Sequence, residues 1–391
     1  MEALGGGNDR PVVPLTGAII AAATVVLPFV VLKENRVAVG VSLRPWEIPA
    51  PVTATVLAVA AVLIILSLTD SPELAFIRSL VASLALCGAL GLLAAAGDRL
   101  MGEELPFGRI TPGVGFWLFA AGNIVVLHGS LKEDGVQPGA KIIAVLLPAV
   151  VLLLLLAGGF LDDLAMIKEY ANRRERFAGE LVNHIILACV AVGIAVTIGV
   201  PAGTLAWRYR RLTKTLFAAV NGVQVIPSLA LFGLMIAPLA YLSRRFPVLR
   251  ELGIQGIGEA PAIIALTLYA LLPIVRNTYT SLAVVPHAAV DAGRGLGMSR
   301  RQLFRLVELP IATPVVLSGI RTSFVQAIGN TAVAALIGAG GLGVFVFQGL
   351  GQAAPDLIVM GVVPIIVLAV GFDRGFAVLI RRLTPKGIRN D

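Results

Sequence analysis

Charge is scarce in this sequence of 391 residues: Asp, Glu, Lys and Arg make up only 14%, against 57% hydrophobic residues. So little polar surface cannot cover a soluble globule, and a mean hydropathy of +0.91 makes the bilayer the solvent. Cysteine is nearly absent. Cys87 and Cys189 both lie in apolar segments with no CxxC and no companion His, which excludes a disulfide framework and a metal site. His128, His184 and His287 show no ligand spacing and are read as structural. No G-x-x-x-x-G-K-S/T occurs, so the chain supplies no Walker-type ATP site of its own, and energy must come from a partner or an ion gradient. An ion-gradient transporter, the main rival class, normally places a carboxylate within the membrane. Every Asp and Glu here falls in a loop or near the end of an apolar run; Asp373, the deepest, lies close to one such end beside Arg374. An integral-membrane enzyme is a third class, and no paired His/Asp cluster or nucleophile–base set supports it.

What is present is apolar length. Runs occur at about 15–32, 50–68, 75–97, 112–131 and 140–160, and again at about 182–203, 215–242, 260–282, 313–336 and 355–379. Each is long enough to span a bilayer. The expected fold is therefore an all-α polytopic membrane protein of about ten transmembrane helices, five plus five. The first run lacks a strongly basic leader and a clear small-x-small exit, so it reads as a span rather than a signal peptide. Between the halves lies LDDLAMIKEYANRRERFAGE at 161–180, the longest charged interval, read as an amphipathic surface helix and as the domain boundary: 1–180, then 181–391. The net charge of +8 would suit nucleic acid in a soluble protein, but these basic residues sit in loops, where they orient the chain. Nucleic acid is thus excluded as a partner and membrane lipid expected. Arg208, Arg210, Arg211 and Lys214 fall on the same side as 286–310 and the tail residues Arg381, Arg382, Lys386 and Arg389. That side is expected to be cytoplasmic, with both termini on it.

The most informative stretch is 286–310, PHAAVDAGRGLGMSRRQLFRLVELP. Pro286 suits the first turn of a helix, Ala288, Ala289 and Ala292 propagate it, and glycines 293, 295 and 297 make a turn. A second helix begins at Ser299 with a capping box to Gln302. Leu303, Leu306 and Val307 give it an apolar stripe before Pro310 stops it. Two short helices at a glycine corner form a knob.

The order Asp291, Ala292, Gly293, then Gly297, then Val307-Glu308-Leu309-Pro310 resembles the cytoplasmic "EAA" signature of permeases in bacterial ABC importers. Asp291 stands where the signature has Glu, and Gly293 where it has a second Ala. The resemblance implies a coupling helix that docks on a cytoplasmic ATPase through Asp291, Ala292, Gly293, Gly297, Met298, Ser299, Arg301, Leu309 and Pro310. Further motifs narrow it. QVIPSLALFGL at 224–234, LLPIVRNTY at 271–279 and IGAGGLG at 337–343 resemble the osmoprotectant uptake permeases, over roughly 180–382. Those carry quaternary ammonium compounds such as glycine betaine, choline and carnitine, and the extra N-terminal spans match a longer variant. The resemblance further implies a permease core over 181–391 in the bacterial cytoplasmic membrane, moving solute by alternating access. It implies ATP and Mg on the ATPase, an extracytoplasmic solute-binding protein, and a second permease protomer, identical or related.

Prolines and polar residues inside the apolar runs mark a candidate path. Pro227 and Pro273 each remove a backbone donor and free carbonyls. Asn221, Gln224 and Ser228, then Tyr269, Asn277 and Tyr279, then Gln326, Asn330 and Thr331 cluster near these breaks, either joining helices or lining the route. Arg276 and Arg321 are assigned to packing, anchoring or subunit contacts, since a cation in the path repels a cationic cargo. Of Gly338, Gly340, Gly341 and Gly343, the first, second and last formally match a dinucleotide fingerprint, but a membrane span precedes them where a strand is required. They are read as a turn near the gate.

Overall fold

The structure, a computed structural model, describes residues 12–35, 38–48, 51–68, 73–101, 105, 107–132 and 136–384. The tail residues Lys386 and Arg389 lie outside these. In hydrocarbon every backbone donor and acceptor must be satisfied within the chain, and the apolar runs do so as helices. Among the described residues, seven helices are long and apolar enough to cross a membrane. A bent pair over Arg210–Val225 and Ser228–Arg245 adds an eighth if it counts as one span; Val12–Ala23 and Val56–Ser67 are apolar but shorter. Each of the ten apolar runs thus has its helical element. The chain divides into two compact units, Met1–Asn172 and Arg173–Asp391.

The first unit holds α1 (Val12–Ala23), β1 (Val30–Lys33), β2 (Val41–Leu43), α2 (Pro51–Ser67), α3 (Glu73–Leu100), β3 (Arg109–Pro112), α4 (Val114–Lys132), α5 (Pro138–Ala157) and α6 (Ala165–Asn172). The first run does not cross as one helix over 15–32. Pro28 disfavours a helical residue before it, Leu27 is extended (φ −94°, ψ 156°), and the chain leaves helix for strand. The strands pair antiparallel in the order β2-β1-β3, with Val30 opposite Leu43 on one side and Pro112 on the other. Gly17 and Gly122 let α1 and α4 touch; a Cβ on either would sit 2.6 Å from the other's carbonyl oxygen. Ser83 ties α3 to α5 by donating to the Ala144 carbonyl (2.5 Å). The interval 161–180 is not one amphipathic helix. Its first part ends in α6, where Glu169 is buried and paired with Arg109 of β3 at 3.0 Å. Its last residues open the first helix of the second unit.

That second unit holds α7 (Arg174–Arg208), α8 (Arg210–Val225), α9 (Ser228–Arg245), α10 (Pro247–Glu251), α11 (Glu259–Ala283), α12 (His287–Gly295), α13 (Arg300–Leu303), a π turn (Phe304–Glu308), α14 (Leu309–Ala334), α15 (Gly343–Gly351) and α16 (Pro355–Leu383). α11 is the central helix. Its Ala262, Ala265, Leu266, Ala270 and Ile274 are buried against Leu187, Ala191 and Ala195 of α7 and Ala327, Ile328 and Ala334 of α14. Small residues set the spacing, as in other membrane helix pairs. A Cβ on Gly203 would meet Thr278 at 2.7 Å, and one on Gly319 would meet the Pro273 carbonyl at 2.8 Å. The run 215–242 is not a straight span: α8 and α9 meet at 103° across Ile226-Pro227.

Candidate functional site

The knob forms, with its corner moved. α12 runs through Gly293 to Gly295, and of the three glycines only Gly297 takes a positive φ (+76°). The Met298 amide donates to the Gly293 carbonyl (3.2 Å) and the Gly297 amide to the Arg294 carbonyl (2.9 Å), closing the helix as a Schellman turn. Gly293 has a packing reason instead: a Cβ there would fall 2.7 Å from Leu303 Cδ1. The capping box is present, with the Gln302 amide donating to Ser299 Oγ (3.4 Å) and the Ser299 amide to Gln302 Oε1 (2.9 Å). Pro310 does not stop the second helix. It lacks the N–H that an α-turn would direct at the Leu306 carbonyl. The backbone widens over Phe304–Glu308, where the Leu309 amide reaches the Phe304 carbonyl, and then continues into α14.

Val285, Val290 and Leu303 are buried inside the knob with Val307 packed on them. Leu306, expected in the same stripe, is turned out by the wide turn and is 63% exposed, while Leu296 at the corner is 78% exposed. Asp291 and Arg294 pair at 3.2 Å, both well exposed, which stabilises little and leaves both available to another surface. Ala292, Arg301, Leu309 and Pro310 are also exposed, and Met298 is half-buried. Beside the knob a groove of about 720 Å³ runs to the end of α7, lined by Arg208, Arg294, Arg300, Arg301 and Glu308. Trp207 stacked on Phe304 (6.4 Å) forms part of its apolar wall.

The intramembrane polar residues separate into two groups. Pro273 deprives the Tyr269 carbonyl of its helical donor, and Gln224 Nε2 supplies one at 2.8 Å. In return the Tyr269 hydroxyl donates to the Ile226 carbonyl at the α8–α9 break. Asn277 bonds the Pro273 carbonyl (2.9 Å), Thr331 bonds the Ala327 carbonyl (2.7 Å), and Tyr279 lies edge-on to Phe217. These five serve helix structure. Asn221, Ser228, Gln326 and Asn330 form no side-chain hydrogen bond among the described residues; Asn221 and Gln326 are exposed, and Gln326 and Asn330 share one face of α14. Arg276 is exposed as well. Asp373 corrects the sequence reading. It lies on α16 opposite the middle of α14, where Arg321 holds it by two bonds of 2.6 Å. Phe324 and Phe372 stack beside the pair at 5.2 Å.

At the other end of α14 the glycine stretch is a turn. Gly338, Gly340 and Gly341 have φ of +79°, +77° and +82°, and Gly343 starts α15 directly against the Ala332 backbone. Three residues of α7 hold it. Glu180 Oε2 accepts from the Gly341 amide (2.6 Å), Asn183 Nδ2 donates to the Ala339 carbonyl (2.8 Å), and His184 Nδ1 accepts from the Leu342 amide (3.2 Å). His184 Nε2 then donates to the Ile328 carbonyl of α14 (3.0 Å), which fixes the ring as the neutral Nε2–H tautomer.

Residues 195–385 match the family described as binding-protein-dependent transport system inner membrane component, and residues 9–167 match the ABC transporter permease YehY N-terminal domain. The osmoprotectant import permease protein OsmW of Salmonella typhimurium is 44% identical over 207 residues, covering 53% of this chain and 91% of that protein. The choline transport system permease protein OpuBB of Bacillus subtilis is 40% identical over 215 residues, covering 54% and 92%. The chain belongs to the permease subunits of ABC importers. A solved structure of the MetNI methionine ABC transporter, in an inward-facing conformation, aligns with 54% of the permease and 96% of its own chain, at 24% identity and a TM-score of 0.46.

The permease is therefore a multi-pass transport subunit. The knob at 286–310 and the glycine turn at 337–343 both lie within its matched family region. The motif reading missed three features: the exposed Leu296, the arginine-lined groove, and the α7 residues holding the glycine turn. A lone His and Asn one position apart gave no signal of the last, because their partners are backbone groups far along the chain.

Proposed function

We propose that this permease imports osmoprotectants of the quaternary ammonium class, such as glycine betaine, choline or carnitine, across the bacterial cytoplasmic membrane. The names of its relatives support the cargo class, and the knob with its exposed Asp291, Arg294 and Leu296 supports energy input from a separate ATPase. That ATPase binds the ATP and Mg; this chain binds no cofactor. A solute-binding protein delivers cargo on the opposite side, where residues of the glycine turn lie. Two ATPases need two knobs, so a second permease protomer, identical or related, completes the assembly. The knob side is cytoplasmic, as are both termini. Closure of the ATPases moves the knobs, and α14 carries that motion through the bundle in an alternating-access cycle.

The path is lined by residues with side-chain valence to spare: Gln326 and Asn330 on α14, with Asn221 and Ser228 near the α8–α9 break. Such groups face water or a partner helix rather than lipid. The Arg321–Asp373 pair leaves its carboxylate engaged, which gives an ion-gradient mechanism no support.

The test is ATP hydrolysis by the reconstituted permease and ATPase, with and without binding protein loaded with glycine betaine. Loaded binding protein is expected to stimulate hydrolysis, and Gly297→Trp to abolish that stimulation by disrupting the left-handed corner and blocking the docking face. Uptake that follows an ion gradient without the ATPase would overturn the reading.

A further inference from the structure

The glycine turn has little to hold itself in shape. Three of its residues are left-handed, Gly340 and Gly341 in succession, and such a stretch directs successive amides outward instead of closing a helix. Two of those amides and one carbonyl are satisfied from a single stretch of α7, by Glu180, His184 and Asn183. His184 grips α14 as well through Ile328, and it is fully buried. Arg176 lies 3.9 Å from Glu180 and over the Phe345 ring, so the carboxylate faces one cation as well as the amide.

α14 links this turn to the knob. Its 26 residues form a rod of about 39 Å at 1.5 Å per residue. Its inner face is close-packed on α11, and packed helices shift as bodies rather than bending continuously. Displacement of the knob end therefore reaches the turn. Hydrogen bonds of 2.6–3.2 Å do not survive a shift of an ångström or two, so movement of α14 relative to α7 breaks the α7 bonds.

We infer that Glu180, Asn183 and His184 are positioning residues that form a catch on the glycine turn, closed in this conformation and released when the knob moves. The inference rests on the importer reading above. It assigns the gate a release point, and it makes Glu180 the component that sets how readily the gate opens: its bond is charge-assisted and the shortest of the three. An open catch lets the cycle run without delivered cargo.

The experiment uses the full complex in proteoliposomes and compares wild type with Glu180→Ala and Glu180→Gln. For Glu180→Ala, we expect hydrolysis without binding protein to rise severalfold and solute moved per ATP to fall by a similar factor. Glu180→Gln, which retains an acceptor oxygen for the Gly341 amide but not the charge, is expected to fall between wild type and Glu180→Ala. A merely structural role would lower hydrolysis and uptake together without changing their ratio. In the wild-type complex, amide exchange at Gly341 and Leu342 is expected to be roughly tenfold faster in the vanadate-trapped state than at rest. Equal protection in both states, an unchanged ratio in Glu180→Ala, or a Gln variant as uncoupled as the Ala variant would each remove the catch. Wild type that is not stimulated by loaded binding protein would remove the importer reading and the catch with it.

Discussion

The two ends of α14 are built on opposite plans. At the knob, the bonds are short-range: Ser299 with Gln302, Met298 with Gly293, Asp291 with Arg294, and the charged side chains face outward. At the glycine turn, the bonds are long-range, since Gly341 and Glu180 are 161 residues apart, and the polar groups face inward. The knob thus makes its own shape from neighbours in sequence and leaves its charges at the surface. A turn held by a distant helix instead keeps its shape only while that helix is in place.

This contrast predicts a ranking of substitutions, read as apparent melting temperature of the detergent-solubilised permease. His184→Ala should be the most severe, at about 3 kcal/mol, because it opens a cavity and strands the buried Leu342 amide. Arg321→Ala should follow with a smaller loss, since it leaves Asp373 unpaired while partial exposure softens the effect. Asp373→Ala combined with Arg321→Ala should recover part of that cost, as the stranded charge is gone. Ser299→Ala should be mildest, at no more than about 1 kcal/mol, because the helix end it caps is exposed and local. A Ser299→Ala loss as large as that of His184→Ala would erase the distinction between the two ends.

The same contrast explains what could be read from sequence. The capping box was legible because Ser299 and Gln302 are three residues apart, and the left-handed corner because only glycine adopts it cheaply. Which of three glycines would turn was not legible. That depended on Leu303 needing the space at Gly293. Pro227 and Pro273 looked alike as interruptions of apolar runs, yet one lies at a 103° break and the other inside a continuous helix. At Pro273 the Gln224 side chain supplies a donor to the Tyr269 carbonyl, 45 residues away in sequence, and no local pattern announces it. In the first unit, Val30–Lys33 was absorbed into a helical run because a short apolar stretch reads the same as strand or helix. Asp373 seemed marginal until a neighbouring helix placed Arg321 against it.

The π turn at Phe304–Glu308 sets the rotational phase between the knob and the membrane span. A π turn is equivalent to one residue inserted into an α-helix, and one residue is about 100° of rotation. Removing a residue there would leave both ends of the helix intact but dial them out of register. With the knob held in place, Arg321 would swing away from Asp373 and Gln326 and Asn330 would point at a different neighbour. The turn is thus a fixed angular offset, written into the chain by Pro310, between the exposed face of the knob and the faces of the span.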